Sequence, residues 1–319
     1  MKYKVVMTDH VYPDLEMEKK LLSEAGVDFA FIDTRNEGVI ANAVRDADAV
    51  ITCYANITAE IIRGMSKCKS ISKTGIGVNN INVEQATKQG IRVLNVSDYC
   101  VEEVSDTAVA LILSLTRRIP FLRDNVQKGA WSRLGSENIT RLNGKTLGFL
   151  GFGNIARRTA EKMKPFGVKM IAYDPYIQAE SAQSMGVAIA DLGRVLRESD
   201  VLSLNLPLTD ETKKIIDKEA LSKMKRTALL VNTARGPLID EEALCSALQE
   251  GEIAGAGLDV LSDEGNISGN PLFSAPNAVI TPHAAFYSIE ATQELREKVL
   301  ADVLSVLAGK APRYQVNRF

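Results

Sequence analysis

Two kinds of block alternate along this chain. Short apolar runs, such as Tyr3 to Met7, Phe29 to Ile32 and Ala49 to Thr52, predict buried strands. Between them, Leu15 to Ala25, Val39 to Arg45 and Ala59 to Gly64 repeat their apolar residues at helical spacing. Strands at Ser70 to Ser72 and Arg92 to Asn95 then flank a short helix at Val83 to Gln89. A βα repeat with connections this short predicts a parallel sheet covered on both faces. Val101 to Arg118 predicts a helix, with Glu102, Glu103 and Asp106 near its start and Arg117 and Arg118 at its end, where each sign suits the helix dipole. The stretch from Pro120 to Asn143, which holds Trp131, reads as less regular. Alternation then resumes with strands at Leu147 to Leu150, Val168 to Tyr173, Asp200 to Leu204, Leu229 to Asn232, Gly255 to Asp259 and Ala278 to Thr281. A long helical pattern, Ile289 to Leu307, and a short polar tail follow.

The densest signal lies at Thr146 to Asp174. An apolar strand meets Gly151-Phe152-Gly153-Asn154-Ile155-Ala156, a helix pattern follows, and the next strand ends on Asp174. Each part suits a dinucleotide. Gly151 permits the tight turn, Gly153 lets the backbone approach a pyrophosphate, and Ala156 lets the helix pack closely on its strand. Amides at the helix N-terminus face the phosphates. Asp174 can accept both hydroxyls of an adenosine ribose. A carboxylate there repels a 2′-phosphate, and no arginine follows in Pro175-Tyr176-Ile177, so the expected cofactor is NAD rather than NADP.

Composition narrows the partners. At 319 residues two domains are expected. Apolar residues at 45% and a net charge of −2 describe an ordinary globular chain with no electrostatic reason to bind nucleic acid or a membrane. The start, MKYKVVMTDH, reaches charge too early for a signal peptide. Cys53, Cys68, Cys100 and Cys245 show no CxxC spacing, which predicts a reduced, cytoplasmic protein. With His10 and His283 the only histidines, a His-rich metal site is excluded.

Candidate chemistry sits at predicted strand ends. Asn232-Thr233-Ala234-Arg235-Gly236 closes one strand, and the planar fork of Arg235 can grip a carboxylate. Leu258-Asp259-Val260 ends the next, with Glu264 shortly after, and Thr281-Pro282-His283-Ala284-Ala285 ends the one beyond. His283 is a candidate proton carrier, and a glutamate on its other ring nitrogen would orient the ring. Taken singly, Arg235 also fits a surface ion pair and His283 a capping or core histidine. His10 reads as structural.

Taken together, NTARGPLIDEEALCSAL, GAGLDV with Glu264, NAVITPHAAFYS and KTGIGVNNINVEQATKQGI resemble the D-isomer-specific 2-hydroxyacid dehydrogenase family over essentially the whole chain. The resemblance implies an α/β fold of two Rossmann-like or flavodoxin-like lobes with parallel sheets and a cleft between them. Residues 1–99 with 287–319 would form the substrate lobe and 100–286 the NAD lobe, hinged near Tyr99 and Ala285. Arg235 would bind the carboxylate of a small 2-hydroxy or 2-oxo acid and polarise its 2-oxo group. His283 would exchange the proton, supported by Glu264, and the amides of Gly77 and Val78 would help hold the carboxylate. Gly151, Gly153, Asn154, Ile155, Asp174, Asn205, Pro207, Thr212, Thr233, Ala234, Asp259, His283 and Ala285 would approach the cofactor, with Lys73 and Phe286 beside the substrate. A homodimer through the NAD lobe is also implied.

Within the family, HAAFYS and NTARG most resemble the carboxyl-terminal-binding corepressors and their bacterial relatives, where tryptophan usually stands in place of Phe286. A dinucleotide-sensing module with vestigial catalysis is therefore the alternative reading, against which the intact trio stands. Three departures qualify the transfer. Lys73 replaces an arginine that contacts the phosphate of 3-phosphoglycerate in enzymes using that substrate, Asn205 replaces a common histidine, and Gly265 replaces a proline, which predicts a more mobile Glu264 loop. Formate dehydrogenases carry glutamine where Glu264 stands, which argues against formate.

Overall fold

Beginning at the N-terminus, β1 (Lys4–Met7), α1 (Glu16–Glu24), β2 (Asp28–Phe31), α2 (Glu37–Val44), β3 (Ala49–Thr52), α3 (Ala59–Arg63), β4 (Ser70–Lys73), α4 (Val83–Lys88) and β5 (Arg92–Leu94) build a first parallel sheet in the order β2-β1-β3-β4-β5. Val6 lies beside Ala30 on one flank and Val50 on the other. Val6, Val50, Ile71 and Val93 meet Ile40 and Val44 of α2, Ile61 and Ile62 of α3, and Ala86 of α4. Each such fully buried aliphatic side chain contributes about 1.5–3 kcal/mol. Polar caps set the helix starts: Asn36, Thr58 and Asn82 accept the amides of Val39, Ile61 and Gln85. The computed structural model describes residues 2–133 and 139–319.

A second sheet follows. After α5 (Val101–Thr116) and α6 (Ile119–Gln127) come β6 (Thr146–Leu150), α7 (Asn154–Met163), β7 (Lys169–Tyr173), α8 (Ala179–Gln183), β8 (Val187–Ile189), α9 (Leu192–Glu198), β9 (Val201–Leu204), α10 (Lys218–Lys223), β10 (Leu229–Asn232), α11 (Glu241–Gln249), β11 (Gly255–Leu258) and β12 (Ala278–Ile280). All seven strands run parallel in the order β12-β11-β10-β9-β6-β7-β8. Central strands are buried on both faces, as the continuous apolar runs require. Leu150, Leu202, Leu230 and Leu258 pack toward α9, α10 and α11, while Leu147, Phe149 and Val231 pack toward α5 and α7.

The chain then returns as α12 (Ile289–Leu307) to the first sheet, packing on α1 and β4. The Arg296 guanidinium reaches buried Glu18 through Nε (2.8 Å) and Nη2 (2.6 Å). The tail closes the open edge of β5. Val316 donates to the Val93 carbonyl, while Asn317 accepts the Val93 amide and donates to the Ile91 carbonyl. Two compact units result, Met1–Tyr99 with Ser288–Phe319 and Cys100–Tyr287.

Two elements differ from the sequence expectation. The stretch from Pro120 contains α6, a helix with no buried residue, and its continuation at 134–138 lies outside the described residues. The strand β8 adds an edge beside β7, where three residues give too short a run to read.

Candidate active site

The strand order of the second sheet reverses between β6 and β9, the kind of switch point at which open parallel sheets take ligands beyond their strand ends. Gly151 leaves β6 there with φ +82°, and a Cβ on it would stand 2.8 Å from the Asn205 carbonyl oxygen just past β9. Only glycine fits. A Cβ built on Gly153 meets nothing within 4 Å, so the start of α7 is open on that side, and no described side chain caps it. The amides of Asn154 and Ile155 begin that helix at its positive end, where a pyrophosphate is favoured.

The turn is held before any ligand arrives. Asp174 Oδ2 accepts the Phe152 amide at 2.8 Å and Oδ1 accepts the Tyr176 amide at 2.9 Å. Each oxygen keeps acceptor capacity for a ribose hydroxyl. Arg157 Nε donates to the Phe152 carbonyl at 3.1 Å, so the backbone of Phe152 is held on both sides. Thr212 Oγ1 donates to the Pro207 carbonyl at 2.7 Å and braces the loop after β9. Among the described residues, buried Asn205 Oδ1 and Thr233 Oγ1 have no hydrogen-bond partner. Such groups cost about 1–3 kcal/mol each when left unpaired, and a bound nucleotide supplies polar partners. The residues fit NAD.

The next three strand ends carry the candidate chemistry. Past β10, Asn232 Nδ2 donates to the Arg235 carbonyl (2.8 Å) and Asn232 Oδ1 accepts the Ala234 amide (3.0 Å), which sets the tight bend from which Arg235 projects. Past β12, His283 has φ +51°, a left-handed backbone that costs a non-glycine residue about 1–2 kcal/mol. Its amide donates to the Asp259 carbonyl at 2.7 Å. The Asp259 carboxylate accepts Thr281 Oγ1 (2.6 Å) and the amides of Ala284 (3.0 Å) and Ala285 (2.9 Å). Asp259 thus braces the histidine loop.

His283 Nδ1 lies 2.7 Å from Glu264 Oε2, which leaves Nε2 as the nitrogen for proton exchange. Burial pushes the Glu264 carboxyl up, but the hydrogen bond and charge of His283, the Leu261 amide and the Arg235 charge outweigh it. The net shift is downward, so Glu264 is an ionised carboxylate at neutral pH. Phe286 packs edge-to-face on the His283 ring, 6.0 Å between centroids. The Glu264 loop, expected to be mobile, is tied down: Asp263 Oδ1 accepts the amides of Gly265 and Asn266, and Glu241 accepts the Ser262 amide and Asn270 Nδ2.

The first unit has its own switch point, between β1 and β3. Asp9 fills it, its carboxylate accepting the amides of Cys53 (2.9 Å), Tyr54 (2.7 Å) and Ala55 (3.1 Å). Buried Lys73 donates to the Cys53 carbonyl, and Asn80 Nδ2 to the Ala55 carbonyl at 2.7 Å. Gly77 and Val78 lie in the adjoining loop, pinned where Asn95 Nδ2 donates to the Ile76 carbonyl and Ile81 to that of Val78. Sequence reasoning missed Asp9, Tyr54 and Glu241, which act through backbone amides or ring faces that no spacing announces. His10 stacks on Tyr12 and meets Phe31 at a tilt, and its Nδ1 accepts the Tyr12 amide. Among the described residues no carboxylate, thiol and imidazole cluster could hold a metal ion, and no helix is long and apolar enough to cross a membrane.

A dinucleotide turn at one switch point, with an imidazole–carboxylate pair and an arginine on the neighbouring strand ends, is the set of parts that nicotinamide-dependent hydride transfer requires. Residues 109–285 match the NAD-binding domain of the D-isomer specific 2-hydroxyacid dehydrogenases. The chain is 37% identical to a D-3-phosphoglycerate dehydrogenase of Methanocaldococcus jannaschii over 98% of its own length, spanning 59% of that longer protein. It is likewise 37% identical to a glyoxylate reductase of Korarchaeum cryptofilum, over 88% of this chain and 86% of that one. Among solved structures, D-lactate dehydrogenase from Aquifex aeolicus complexed with NAD and lactic acid superposes with a TM-score of 0.88 at 30% identity, covering 96% of each chain. The chain belongs to the D-isomer specific 2-hydroxyacid dehydrogenase family.

Proposed function

We propose that this chain is an NAD-dependent reductase of small 2-oxo acids, yielding D-2-hydroxy acids. The observation that carries the reading is the 2.7 Å contact between His283 Nδ1 and ionised Glu264, with the Arg235 charge acting on the same carboxylate. NAD, when bound, supplies the hydride chemistry. Arg235 holds the substrate carboxylate by its fork and polarises the 2-oxo group. His283 gives its Nε2 proton to the oxygen that becomes the hydroxyl, and Glu264 holds the ring in place. Met1–Tyr99 with Ser288–Phe319 would serve as the substrate domain and Cys100–Tyr287 as the cofactor domain.

The four cysteines are free thiols, which supports a cytoplasmic setting. A homodimer through the NAD lobe is supported by the bare apolar residues Ile119 and Val126 of α6 and by Trp131, which is 92% exposed. The corepressor-like alternative of a sensing module finds no support among the relatives, which are named as D-3-phosphoglycerate dehydrogenases and glyoxylate reductases. The intact proton carrier and arginine favour the enzyme.

The test is NADH oxidation against glyoxylate, hydroxypyruvate, pyruvate, phenylpyruvate and 2-oxoisocaproate. His283→Ala should lower turnover by ~10²-fold or more with NADH affinity kept, the usual weight of a general acid. No turnover by wild type despite tight NADH binding would transfer the case to the sensing module.

A further inference from the structure

Leu261 and Leu272 are both packed in the core of the second unit, and between them residues 262–269 are all exposed. Glu264 lies within this loop, so no buried side chain of the loop itself holds it against His283. Polar bonds must do so. Some are local: Asp263 Oδ1 accepts the amides of Gly265 and Asn266 (3.1 Å each), and the Asn270 amide donates to the Ile267 carbonyl (3.1 Å). These shape the loop without fixing its place. Apart from the Glu264–His283 contact, the hydrogen bonds that tie it to another element, among the described residues, go to Glu241. Its Oε1 accepts the Ser262 amide at the loop's start, and its Oε2 accepts Asn270 Nδ2 (3.2 Å) at the loop's end. Asn270 Oδ1 accepts the Leu272 amide (3.0 Å), which turns Nδ2 toward Glu241. Glu241 is itself anchored as the first residue of α11, where an acid suits the positive end of the helix. That helix buries Leu244, Cys245, Ala247 and Leu248, and its cap Asp240 accepts the Ala243 amide (3.3 Å) and the Lys214 ammonium (2.9 Å).

From this arrangement we infer that Glu241 is a positioning residue for proton transfer, acting through Glu264 by gripping both ends of the loop that carries it. The kinetic consequence rests on the proposed reductase activity. The contact it governs, 2.7 Å between Glu264 Oε2 and His283 Nδ1, does not. Without the Glu241 carboxylate, the Ser262 amide and the Asn270 side chain both lose their acceptor. The loop then keeps its local turn but not its place. The Glu264 side chain is 39% exposed, so water can replace the imidazole as partner of its carboxylate, and little opposes its departure. The ring loses the partner that holds a proton on Nδ1 and leaves Nε2 for exchange.

His10 and His283 are the only histidines, so NMR of protein made with isotopically labelled histidine shows two rings, and His283→Ala assigns them. The His283 ring should carry a hydrogen-bonded Nδ1 proton in wild type and in Glu241→Gln, which still accepts the Ser262 amide. Glu241→Ala should lose that proton signal, as Glu264→Ala does. In glyoxylate reduction, Glu241→Ala should lower kcat by about tenfold or more with NADH affinity within about threefold of wild type, while Glu241→Gln should stay within about threefold in both. Asn270→Asp, which keeps the Leu272 bond but sets a like charge against Glu241, should act in the same direction as Glu241→Ala. Added to Glu264→Ala, Glu241→Ala should cost nothing more, because its effect runs through that carboxylate. A His283 Nδ1 proton retained in Glu241→Ala, an additive loss in the double variant, or NADH affinity falling together with kcat would overturn the inference. No glyoxylate turnover by wild type would instead overturn the reductase reading, and the imidazole signals would still decide whether Glu241 holds Glu264 in place.

Discussion

Gly236 follows Arg235 directly, and its missing side chain keeps the Arg235 and Glu264 segments together. A Cβ at this position would stand 2.0 Å from the Leu261 carbonyl carbon, 2.2 Å from its oxygen and 2.4 Å from the Ser262 nitrogen. These neighbours are backbone, so no rotamer change relieves the overlap. In Gly236→Ala the Leu261–Ser262 peptide must retreat by roughly 1 Å, a misplacement that can cost ~10²-fold in rate. That peptide leads into Glu264, whose Oε2 is 2.7 Å from His283 Nδ1 and whose Oε1 accepts the Leu261 amide at 3.4 Å. The same retreat stretches the imidazole–carboxylate contact beyond hydrogen-bonding length, about 3.2 Å. The glycine turn at Gly151 lies on another strand and is untouched. The expectation is a ~30- to 100-fold fall in kcat with NADH affinity within about threefold of wild type. Steady-state kinetics with glyoxylate and fluorescence titration of NADH measure the two separately. A kcat within threefold of wild type would refute the claim that this contact depends on the 261–262 peptide.

Two further substitutions probe other links. Asp174→Ala removes the ribose acceptor and frees the Phe152 amide, so the kcat/KM preference for NADH over NADPH should drop by ~10-fold or more, the value of a charged hydrogen bond; an unchanged preference sinks its role. Arg296→Ala strands Glu18, whose side chain is 3% exposed, and should cost about 3–5 kcal/mol in urea denaturation. A loss below ~1 kcal/mol would show that the pair is dispensable.

Most of the fold was legible because both sheets are parallel and buried on two faces, so strands such as Ala49–Thr52 and Leu229–Asn232 appear as unbroken apolar runs. Where that cause is absent, legibility ends. The helix α6 buries nothing, so its pattern had no core face to announce, and β8 is an edge of three residues. Arg235, Glu264 and His283 were readable from their motifs and positions past strand ends, and Asp174 from ending β7. The left-handed His283 backbone was not readable, since it depends on Asp259 holding Thr281, Ala284 and Ala285.

The return of α12 has a consequence for synthesis. The Glu18–Arg296 pair spans 278 positions, and the β5 edge is closed by Val316 and Asn317. A ribosome therefore completes all of Cys100–Tyr287 before it delivers the helix that neutralises Glu18 and the segment that seals the sheet. The second unit can mature cotranslationally as an uninterrupted stretch, whereas the first must wait half-built, a buried carboxylate unmatched and one strand edge bare. Through that interval the N-terminal third of the nascent chain is the part most exposed to chaperones and to mispairing with other chains.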